Sequence, residues 1–582
     1  MVPMLARLIE EQVRRAVTAL LPDANPSLVR VCPCPNPDFG DLQTSALMAL
    51  AKTHKLNPRQ LAQSVLPRLD LSAWCEGVES VGAGFLNFRL RPAAIAEVLR
   101  AAVRGEHLFF ERAAVPRTVV VDFSSPNVAK PMHVGHIRST ILGDCLARVL
   151  RLLGHRFITD NHLGDWGTQF GKLLVGWKEH RDAAALARDA LGELERLYRV
   201  ANAACEADPA VQERARQELV LLQAGDPTNL AVWREMIARS QAQFDAVYAR
   251  LGVKFDLTLG ESFYNPQLRS VVRELAARGI ARESEGAMVV FFDDSPDLKA
   301  HPAIIQKNDG AANYATTDLA TLAHRLATWH PDEIIYVTDG RQQLHFKQIF
   351  ATFRRWQPQA RLRLAHVWFG SILGPDGRPF KTRTGEVIKL ADLLDEAEGR
   401  ALRVVAEKNP DLAEAERREI ARIIGIGAVK YADLLPNRQS DYVFDWDRML
   451  ALQGNTAPYL LYAQTRIRSL FRRLDETTPE AANWSQDAKH NLTLRQPPET
   501  ALAKHLLNFG FVLEAVAEEY RPNYLCNYLY ELAGHFTTFY ENCPVLKAPE
   551  TERASRLALS YLTGRVLQEG LNALGLETAE RM

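Results

Sequence analysis

Two histidines separated by a valine and a glycine, His133-Val134-Gly135-His136, are the residues of this chain whose types and spacing best suit chemistry. A β-branched run at 119–121 precedes them and an amphipathic segment with helical period follows, which places them between a strand and a helix. At a helix N-terminus, imidazoles can donate to phosphate oxygens, and the helix dipole attracts anions. Gly135 lets the helix approach an adenine closely. The pattern indicates chemistry at the α-phosphate of ATP.

A glycine-bounded basic loop at 374–385 is the second group, and it contains Lys381 and Arg383. Its glycines permit movement, and its positive charges suit a leaving pyrophosphate. Alone, such a loop is at least as typical of a solvated surface turn as of a phosphate-binding site. Together with the histidine motif it predicts a second clamp on a triphosphate, and whether Lys381 or Arg383 does more of this work stays open.

Composition restricts the class of protein. The chain has 582 residues, enough for several domains, with 47% hydrophobic and 24% charged residues, as in ordinary soluble proteins. No apolar run reaches membrane length, and the N-terminal segment carries acidic residues and a helical period, so it does not look like a secretion signal. Seven cysteines form no framework, so we expect a reduced, cytoplasmic protein without a structural metal. A formal net charge of zero disfavours non-specific nucleic-acid binding, DNA included, but permits an RNA held by local patches.

Strand-like segments return at 303–305, 334–337 and 367–369, alternating with helical runs after an Ala-, Glu- and Arg-rich insertion. This alternation predicts the second half of a parallel sheet, with its ligand site at the carboxyl ends of the strands. The expected fold is a multidomain α/β protein. Its predicted parts are an N-terminal α/β domain (1–112), a Rossmann-type parallel-sheet catalytic domain (113–177 and 301–391), an insertion (178–300), a helical linker (392–453) and an all-helical C-terminal domain (454–582).

Nine passages spread along the chain carry a resemblance to one known family. They are PDFGDLQTSALMALAK (37–52), GAGFLNF (82–88), FSSPNVAKPMHVGHIRST (123–140), DNHLGDWGTQFGKL (160–173), NYATTDLA (313–320), GRQQLHFKQ (340–348), GRPFKTRTGEVIKL (377–390), GNTAPYLLYAQTRIRS (454–469) and ETAERM (577–582). Through them the sequence resembles the arginyl-tRNA synthetases, a family of class I aminoacyl-tRNA synthetases, along its whole length. The usual Lys-Met-Ser-Lys-Ser loop of the class is degenerate here and reads KTRTG, as in the bacterial type of arginine enzyme.

The resemblance implies an arginine–tRNA ligase that forms arginyl-adenylate from L-arginine and ATP and then charges tRNA(Arg), releasing AMP and pyrophosphate. It implies catalytic roles for His133, Gly135, His136, Lys381 and Arg383, with all but Arg383 also binding ATP. Magnesium is expected to arrive with ATP and to need no protein cage. The family also implies a monomer, and activation that depends on bound tRNA.

Arginine presents a planar guanidinium with five donors, so its site needs carboxylate and carbonyl acceptors and gains from an aromatic face. The resemblance assigns such contacts to Asp122, Asn127, Tyr314, Asp318 and Gln342. Tyr314 and Asp318 are four residues apart and share one face if their segment is helical. If every acceptor of the site pairs with a guanidinium, some of these acceptors stay unpaired when lysine binds instead. Lysine is then rejected without editing, so we expect no editing site in the 176–300 segment.

Basic and aromatic residues alternate near the start of the C-terminal domain, a pattern suited to stacking on unpaired bases and to phosphate contact. A solvated face above core tyrosines would give the same pattern. The family places its anticodon-binding helices here, a contact to the tRNA stem in the linker (392–453) and a contact to the tRNA elbow in the N-terminal domain. The residues predicted to contact tRNA are Tyr459, Arg466, Arg472, Tyr540 and the terminal Met582.

Three other functions fit these residues less well. A class I synthetase for glutamate would want basic pocket residues, and one for cysteine would want zinc ligands. An RNA-binding relative without catalysis is disfavoured by the intact His133, His136 and Lys381. A small nucleotidylyltransferase would not need the long helical C-terminus.

Overall fold

The computed structural model describes residues 4–380, 388–477 and 483–582. They form two compact units. The first unit joins both ends of the chain and contains Met1–Arg112, Ala451–Ala573 and Glu577–Met582. The second unit contains Ala113–Leu450 and Leu574–Leu576.

The N-terminal stretch of the first unit is an antiparallel sheet covered by helices, with strand order β1-β2-β4-β3. Leu86, Phe88 and Leu90 alternate along the last strand and are buried, which gives this sheet one apolar face. The elements are α1 (Leu5–Leu20), β1 (Cys32–Pro33), β2 (Leu42–Thr44), α2 (Ala46–Thr53), α3 (Pro58–Val65), β3 (Cys75–Val81), β4 (Phe85–Leu90) and α4 (Pro92–Val103).

The second unit opens with strand, loop and helix, and Val119, Val120 and Val121 of its first strand are fully buried. A largely helical insertion follows the second strand. The elements up to residue 290 are β5 (Thr118–Asp122), α5 (Val134–Leu152), β6 (Arg156–Asp160), α6 (Gln169–His180), α7 (Ala183–Arg188), α8 (Ala190–Ala207), α9 (Pro209–Ala224), α10 (Pro227–Leu251), α11 (Glu261–Tyr264), α12 (Leu268–Ala277), β7 (Arg282–Ser284) and β8 (Ala287–Val290).

The chain then returns to complete a four-stranded parallel sheet of order β11-β10-β5-β6. This confirms the predicted Rossmann-type parallel sheet within a mixed α/β protein. The remaining elements of the unit are β9 (Ala303–Gln306), α13 (Tyr314–Trp329), β10 (Glu333–Tyr336), α14 (Gln343–Trp356), β11 (Arg363–His366), β12 (Ile372–Leu373), α15 (Leu390–Lys408), α16 (Glu414–Leu434), β13 (Tyr442–Val443) and α17 (Trp446–Met449).

Two strand predictions need correction. The segment at 303–305 is strand β9, but it pairs antiparallel with β8 in a separate three-stranded sheet, not in the parallel one. Ile304 is 44% exposed, so this strand has one wet face, whereas β10 is buried on both faces, as parallel strands usually are. The strand predicted at 367–369 starts four residues too late and does not overlap β11 (Arg363–His366), because β11 begins with the exposed Arg363 and offers no apolar run.

The C-terminal stretch of the first unit is helical, as predicted, and α4 packs against three of its helices, α19, α20 and α23. Ion pairs between Arg7 and Glu514 (2.8 Å) and between Lys504 and Asp41 (2.7 Å) also join the two stretches. Among the described residues, no helix is both long and apolar enough to cross a bilayer. The helices are α18 (Ala457–Thr477), α19 (Trp484–Asn491), α20 (Pro497–Leu506), α21 (Phe509–Glu519), α22 (Asn523–Asn542) and α23 (Glu550–Ala573).

Candidate active site

Helix α5 begins at the histidine motif, with His133 as its N-cap. Nδ1 of His133 accepts the backbone N–H of Gly135 at 3.0 Å, and Nδ1 of His136 accepts the backbone N–H of His133 at 3.1 Å. A backbone N–H can only donate, so both Nδ1 atoms are unprotonated and each neutral ring carries its proton on Nε2. The reciprocal caps therefore fix both rings as Nε2–H donors at the helix N-terminus.

Gly135 makes this arrangement possible. A Cβ at Gly135 would lie only 2.8 Å from Cε1 of His133, so a side chain there would displace the capping imidazole. Gly135 is therefore needed locally, because it leaves room for the ring of His133. This requirement adds to its predicted role in the approach of a nucleotide base.

Both imidazoles are neutral at pH 7. Burial lowers the pKa of His133, and the charge of Lys130 lowers it further. Burial also lowers the pKa of His136 to about 3, with a smaller contribution from His133. Lys130, whose ammonium lies 5.4 Å from the ring centroid of Tyr198, is a positive charge beside the motif that the sequence analysis did not single out.

The segment that follows the basic loop pairs with the residues leading into the histidine motif. The backbone N–H of Val134 donates to the carbonyl of Ile388 at 3.0 Å, and that of Leu390 donates to the carbonyl of Met132 at 2.9 Å. Residue 389 forms a β-bridge with residue 133 between them. The downstream end of the loop is therefore anchored at the start of α5.

The upstream end of the loop is also connected to α5. The backbone N–H of Phe380 donates to the carbonyl of Ile372 in β12. Two residues before that strand, the carbonyl of Gly370 accepts a hydrogen bond at 2.8 Å from Arg138, a buried residue of α5. Lys381 and Arg383 themselves lie outside the described residues, so their roles remain predictions.

Asp122, at the end of β5, forms a buried ion pair within the protein. Nη2 of Arg325 donates to Oδ2 of Asp122 at 2.6 Å and to Oδ2 of Asp160, at the end of β6, at 2.8 Å. The other oxygen of Asp122 accepts the hydroxyl of Ser125 at 3.1 Å. The family resemblance predicts that Asp122 contacts substrate arginine, and no pattern in the sequence predicts this ion pair, which arises because two buried carboxylates on adjacent strands need a compensating cation.

Asp318 lies on α13, and its Oδ2 is 2.5 Å from Nε2 of His345 on α14. Asp318 keeps about a fifth of its side chain exposed, unlike Asp122, so it can still meet a ligand. Tyr314, one turn earlier, is 70% exposed and begins the helix, which confirms that the two residues share a helical segment.

Glu261, at the start of α11, is a second acidic residue of this region that the sequence analysis missed. Burial raises its pKa to about 8, and the negative charges of Asp318 and Asp165 raise it as well. Asp165 is held in turn by Ser262, whose backbone N–H (2.8 Å) and hydroxyl (2.6 Å) both donate to it. Glu261 therefore lies within electrostatic reach of Asp318, on a helix that packs against α13.

Asn127 and Gln342 follow β5 and β10, two adjacent strands of the parallel sheet, at their carboxyl ends. Both side chains are exposed. Residue 127 forms a β-bridge with Gly164, in the loop after β6. The structure thus places both at the expected edge of the sheet.

In the first unit, α18 carries the candidates for RNA contact. Arg466 lies over the ring of Tyr540 at 4.6 Å, and Tyr459 packs against Tyr530 with ring centroids 5.5 Å apart. Tyr462 is 53% exposed. Tyr459, Arg466 and Tyr540 are partly exposed, so basic and aromatic groups lie together at this part of the first unit.

Arg472, also on α18, has an additional structural contact. Its guanidinium donates to the carbonyl of Glu580 at 3.0 Å, and the neighbouring Arg468 donates to that of Ala579 at 2.6 Å. These bonds fix the chain end, so that half-buried Met582 follows a segment held against α18. Part of the positive charge that the sequence offered to RNA is thus used to hold the C-terminus.

Models of known protein families match three parts of the chain. A model described as "tRNA synthetases class I (R), catalytic domain" matches residues 98–446. A "DALR anticodon binding domain" matches residues 460–582, and an "Arginyl tRNA synthetase N terminal domain" matches residues 7–90.

The chain is 47% identical over 553 residues to an arginine–tRNA ligase of Citrobacter koseri, covering 94% of each chain. It is also similar to solved arginyl-tRNA synthetases of Plasmodium falciparum (28% identity) and Thermus thermophilus (27%), each with a TM-score of 0.82 and complete coverage of both chains. The identity, the coverage and the class I catalytic match together show that this chain belongs to the arginyl-tRNA synthetase family.

Proposed function

We propose that this protein activates L-arginine with ATP and transfers it to tRNA(Arg). The main support for the proposal is that the second unit contains two groups of side chains. One is a pair of neutral Nε2–H donors at the start of α5, and the other is the pair of acidic residues Asp318 and Glu261. The donors suit phosphate oxygens, and the carboxylates suit a fixed cation.

In the first step, a carboxylate oxygen of arginine attacks the α-phosphorus of ATP. The bond from that phosphorus to the α,β-bridging oxygen breaks, and pyrophosphate leaves with the electron pair. Nε2–H of His133 and of His136 would donate to phosphate oxygens as charge develops, with the N-terminus of α5 adding its dipole. Lys381 or Arg383 would hold the leaving pyrophosphate.

Magnesium would reach the site bound to the phosphates of ATP, where it supplies positive charge. Among the described residues, no group of three or more His, Cys, Asp or Glu side chains could hold a metal ion. The donors at the start of α5 are N–H groups, which fit phosphate oxygens and not a cation.

For arginine we assign the guanidinium to Asp318 and Glu261, with Tyr314 contributing its ring. Asn127 and Gln342, at the ends of adjacent strands, would bind the amino-acid end of the substrate. Asp122 would act through its ion pair with Arg325, which holds the strand ends in place.

In the second step, a terminal ribose hydroxyl of the tRNA attacks the carbonyl carbon of the adenylate. The hydroxyl proton is lost and AMP leaves as the ester bond forms. We assign the anticodon to the surface of Tyr459, Arg466 and Tyr540, and the terminal segment with Arg472 and Met582 would support it. Phe39, 55% exposed in the N-terminal stretch, is an aromatic suited to stacking at the tRNA elbow.

Charging of purified arginine tRNA with each of the twenty labelled amino acids tests this function. We expect stable charging with arginine alone, and discrimination against lysine on the order of 10⁴ or more, because lysine leaves carboxylate acceptors unpaired. Charging with another amino acid would contradict the substrate assignment. Tight tRNA binding without charging would instead establish an RNA-binding protein.

The pKa of Glu261 predicts a pH dependence of arginine binding. With a pKa of about 8, this carboxyl is mostly protonated at pH 6 to 7, and a bound guanidinium favours the ionised form. Binding must therefore release a proton, and the arginine KM should fall up to about tenfold per pH unit between pH 6 and 8 and level off above that. In Glu261→Gln the slope should disappear and the KM should be higher at pH 8. An unchanged slope in that variant would assign the titration to another group.

A further inference from the structure

The loop between β5 and α5 has an unusual backbone. Ser124, Ser125 and Ala129 have φ values of 73°, 48° and 64°, in the left-handed region that residues with a side chain seldom adopt. Three such residues within six positions would relax to another shape unless the surroundings held them. The loop also leads directly into His133, so its shape affects the position of the histidine motif.

Helix α10 of the insertion supplies much of that restraint. Its buried residues recur at spacings of three, four and seven, so they lie on one face of the helix. This face includes side chains that donate or accept hydrogen bonds as well as apolar ones. They are Asn229, Met236, Ser240, Phe244, Tyr248 and Leu251.

Ser240 bonds the strained loop directly. Its hydroxyl oxygen accepts the backbone N–H of Ala129 at 3.1 Å, while its proton goes to the carbonyl of Met236 at 2.7 Å. Trp233, two turns earlier, donates from Nε1 to the carbonyl of Asp165 at 2.9 Å, in the loop after β6. One helix thus bonds both loops at the carboxyl ends of neighbouring strands.

Tyr248 is part of a chain of hydrogen bonds with a fixed direction. Nδ2 of Asn161 can only donate, and it donates to the hydroxyl of Tyr248 at 3.2 Å. At the other end, Thr140 must donate to the carbonyl of His136, at 2.8 Å. Ser124 lies between them, 2.8 Å from both hydroxyls, so Tyr248 donates to Ser124 and Ser124 donates to Thr140.

The chain therefore runs from the end of β6, through α10, to the backbone of the histidine motif. It works only while Tyr248 keeps its proton, and burial raises the pKa of that hydroxyl to about 12, so it is protonated at any working pH. Removal of the hydroxyl would leave the amide of Asn161 and the oxygen of Ser124, both buried, without this partner.

We infer that Tyr248 and Ser240 are positioning residues, through which the insertion holds the strained 124–129 loop and His136 in the geometry that adenylate formation needs; the inference rests on the proposed function. They touch no reacting atom. Their effect should appear in turnover and in the order of the loop more than in substrate affinity.

Tyr248→Phe tests the inference, with Tyr528→Phe as its matched control. Both tyrosines are 4% exposed, and the hydroxyl of Tyr528 donates to the carbonyl of His505 at 3.2 Å in the other unit. In tRNA-dependent ATP–pyrophosphate exchange, Tyr248→Phe should lower kcat about tenfold with KM values changed less than about threefold, and Tyr528→Phe should leave kcat unchanged. Hydrogen–deuterium exchange in a peptide spanning 123–136 should accelerate in Tyr248→Phe alone.

Ser240→Ala gives a second test, with Ser560→Ala as control. Both serines are fully buried and donate to the carbonyl four residues earlier, but Ser240 also accepts the bond from the loop. Ser240→Ala should lower kcat severalfold and Ser560→Ala should not. Equal kcat in Tyr248→Phe and wild type, with unchanged exchange at 123–136, would overturn the inference, whereas wild-type protein inactive with arginine would overturn the proposed function instead.

Discussion

His136→Ala is expected to lower the turnover of arginine activation about 10²- to 10³-fold, the usual effect of removing one aligned donor from a developing negative charge. The ring is neutral, with a pKa of about 3, and its Nδ1 is occupied by the backbone N–H of His133. Its Nε2–H is therefore the only proton it can offer. Since this donor acts mainly as charge accumulates on phosphate, kcat should fall much more than the KM for ATP rises.

The control for this variant is His155→Ala. His155 also accepts a backbone N–H on Nδ1, that of Arg117 at 3.2 Å, but at the opposite end of the parallel sheet. Pyrophosphate exchange should therefore stay near the wild-type rate in His155→Ala, and tRNA affinity, measured by filter binding, should be unchanged in both variants. Equal losses in the two variants would mean that His136 serves only to cap α5.

The parallel sheet was predictable because its central strands are buried on both faces and leave continuous apolar runs, such as 119–121 and 334–337. The helix after the histidine motif was predictable from its apolar period and from Gly154, which takes the left-handed conformation just after it. Strand β9 was assigned to the wrong sheet, because a short apolar segment does not reveal its partner. That partner, β8, lies in the insertion.

Within the candidate site, the geometry of the histidine motif is set by local sequence, because the two caps join residues no more than three positions apart. The ion pair of Asp122 with Arg325 could not be predicted in this way, because 203 positions separate the two residues. Glu261 was missed for a related reason. It follows the long insertion helices, and only the fold brings it near Asp165 and Asp318. Local sequence thus indicated the phosphate chemistry, whereas the acidic region depends on tertiary contacts.

The insertion shows the same limit. Its amphipathic period predicted helices, but Ser240 and Tyr248 look like ordinary residues of a helix in the sequence. The positive φ values of the 124–129 loop are equally invisible there, since serine and alanine give no signal for them. A strained loop and the helix that restrains it are recognisable only together.

Asp318→Asn is expected to raise the KM for arginine about 100-fold, equivalent to about 2.7 kcal/mol of lost binding. The substitution keeps shape and removes the charge, and the amide presents N–H groups to a guanidinium that has only donors. Asp318 is half-buried beside Glu261, so water can replace only part of the lost interaction. Because the cation is bound in both ground and transition states, kcat should change less than the KM.

Asp309→Asn, in the turn before α13, is the matched control, because its carboxylate is exposed and, within the described part of the chain, accepts the backbone N–H of Ala311 alone. Its arginine KM should remain within twofold of wild type. The second measurement is the KM for lysine in the same variant. Lysine should lose less binding free energy from Asp318→Asn than arginine does, so the preference for arginine should shrink. If the KM rises equally in both variants, the acidic region around α13 supplies only a general negative potential, and the guanidinium is bound elsewhere.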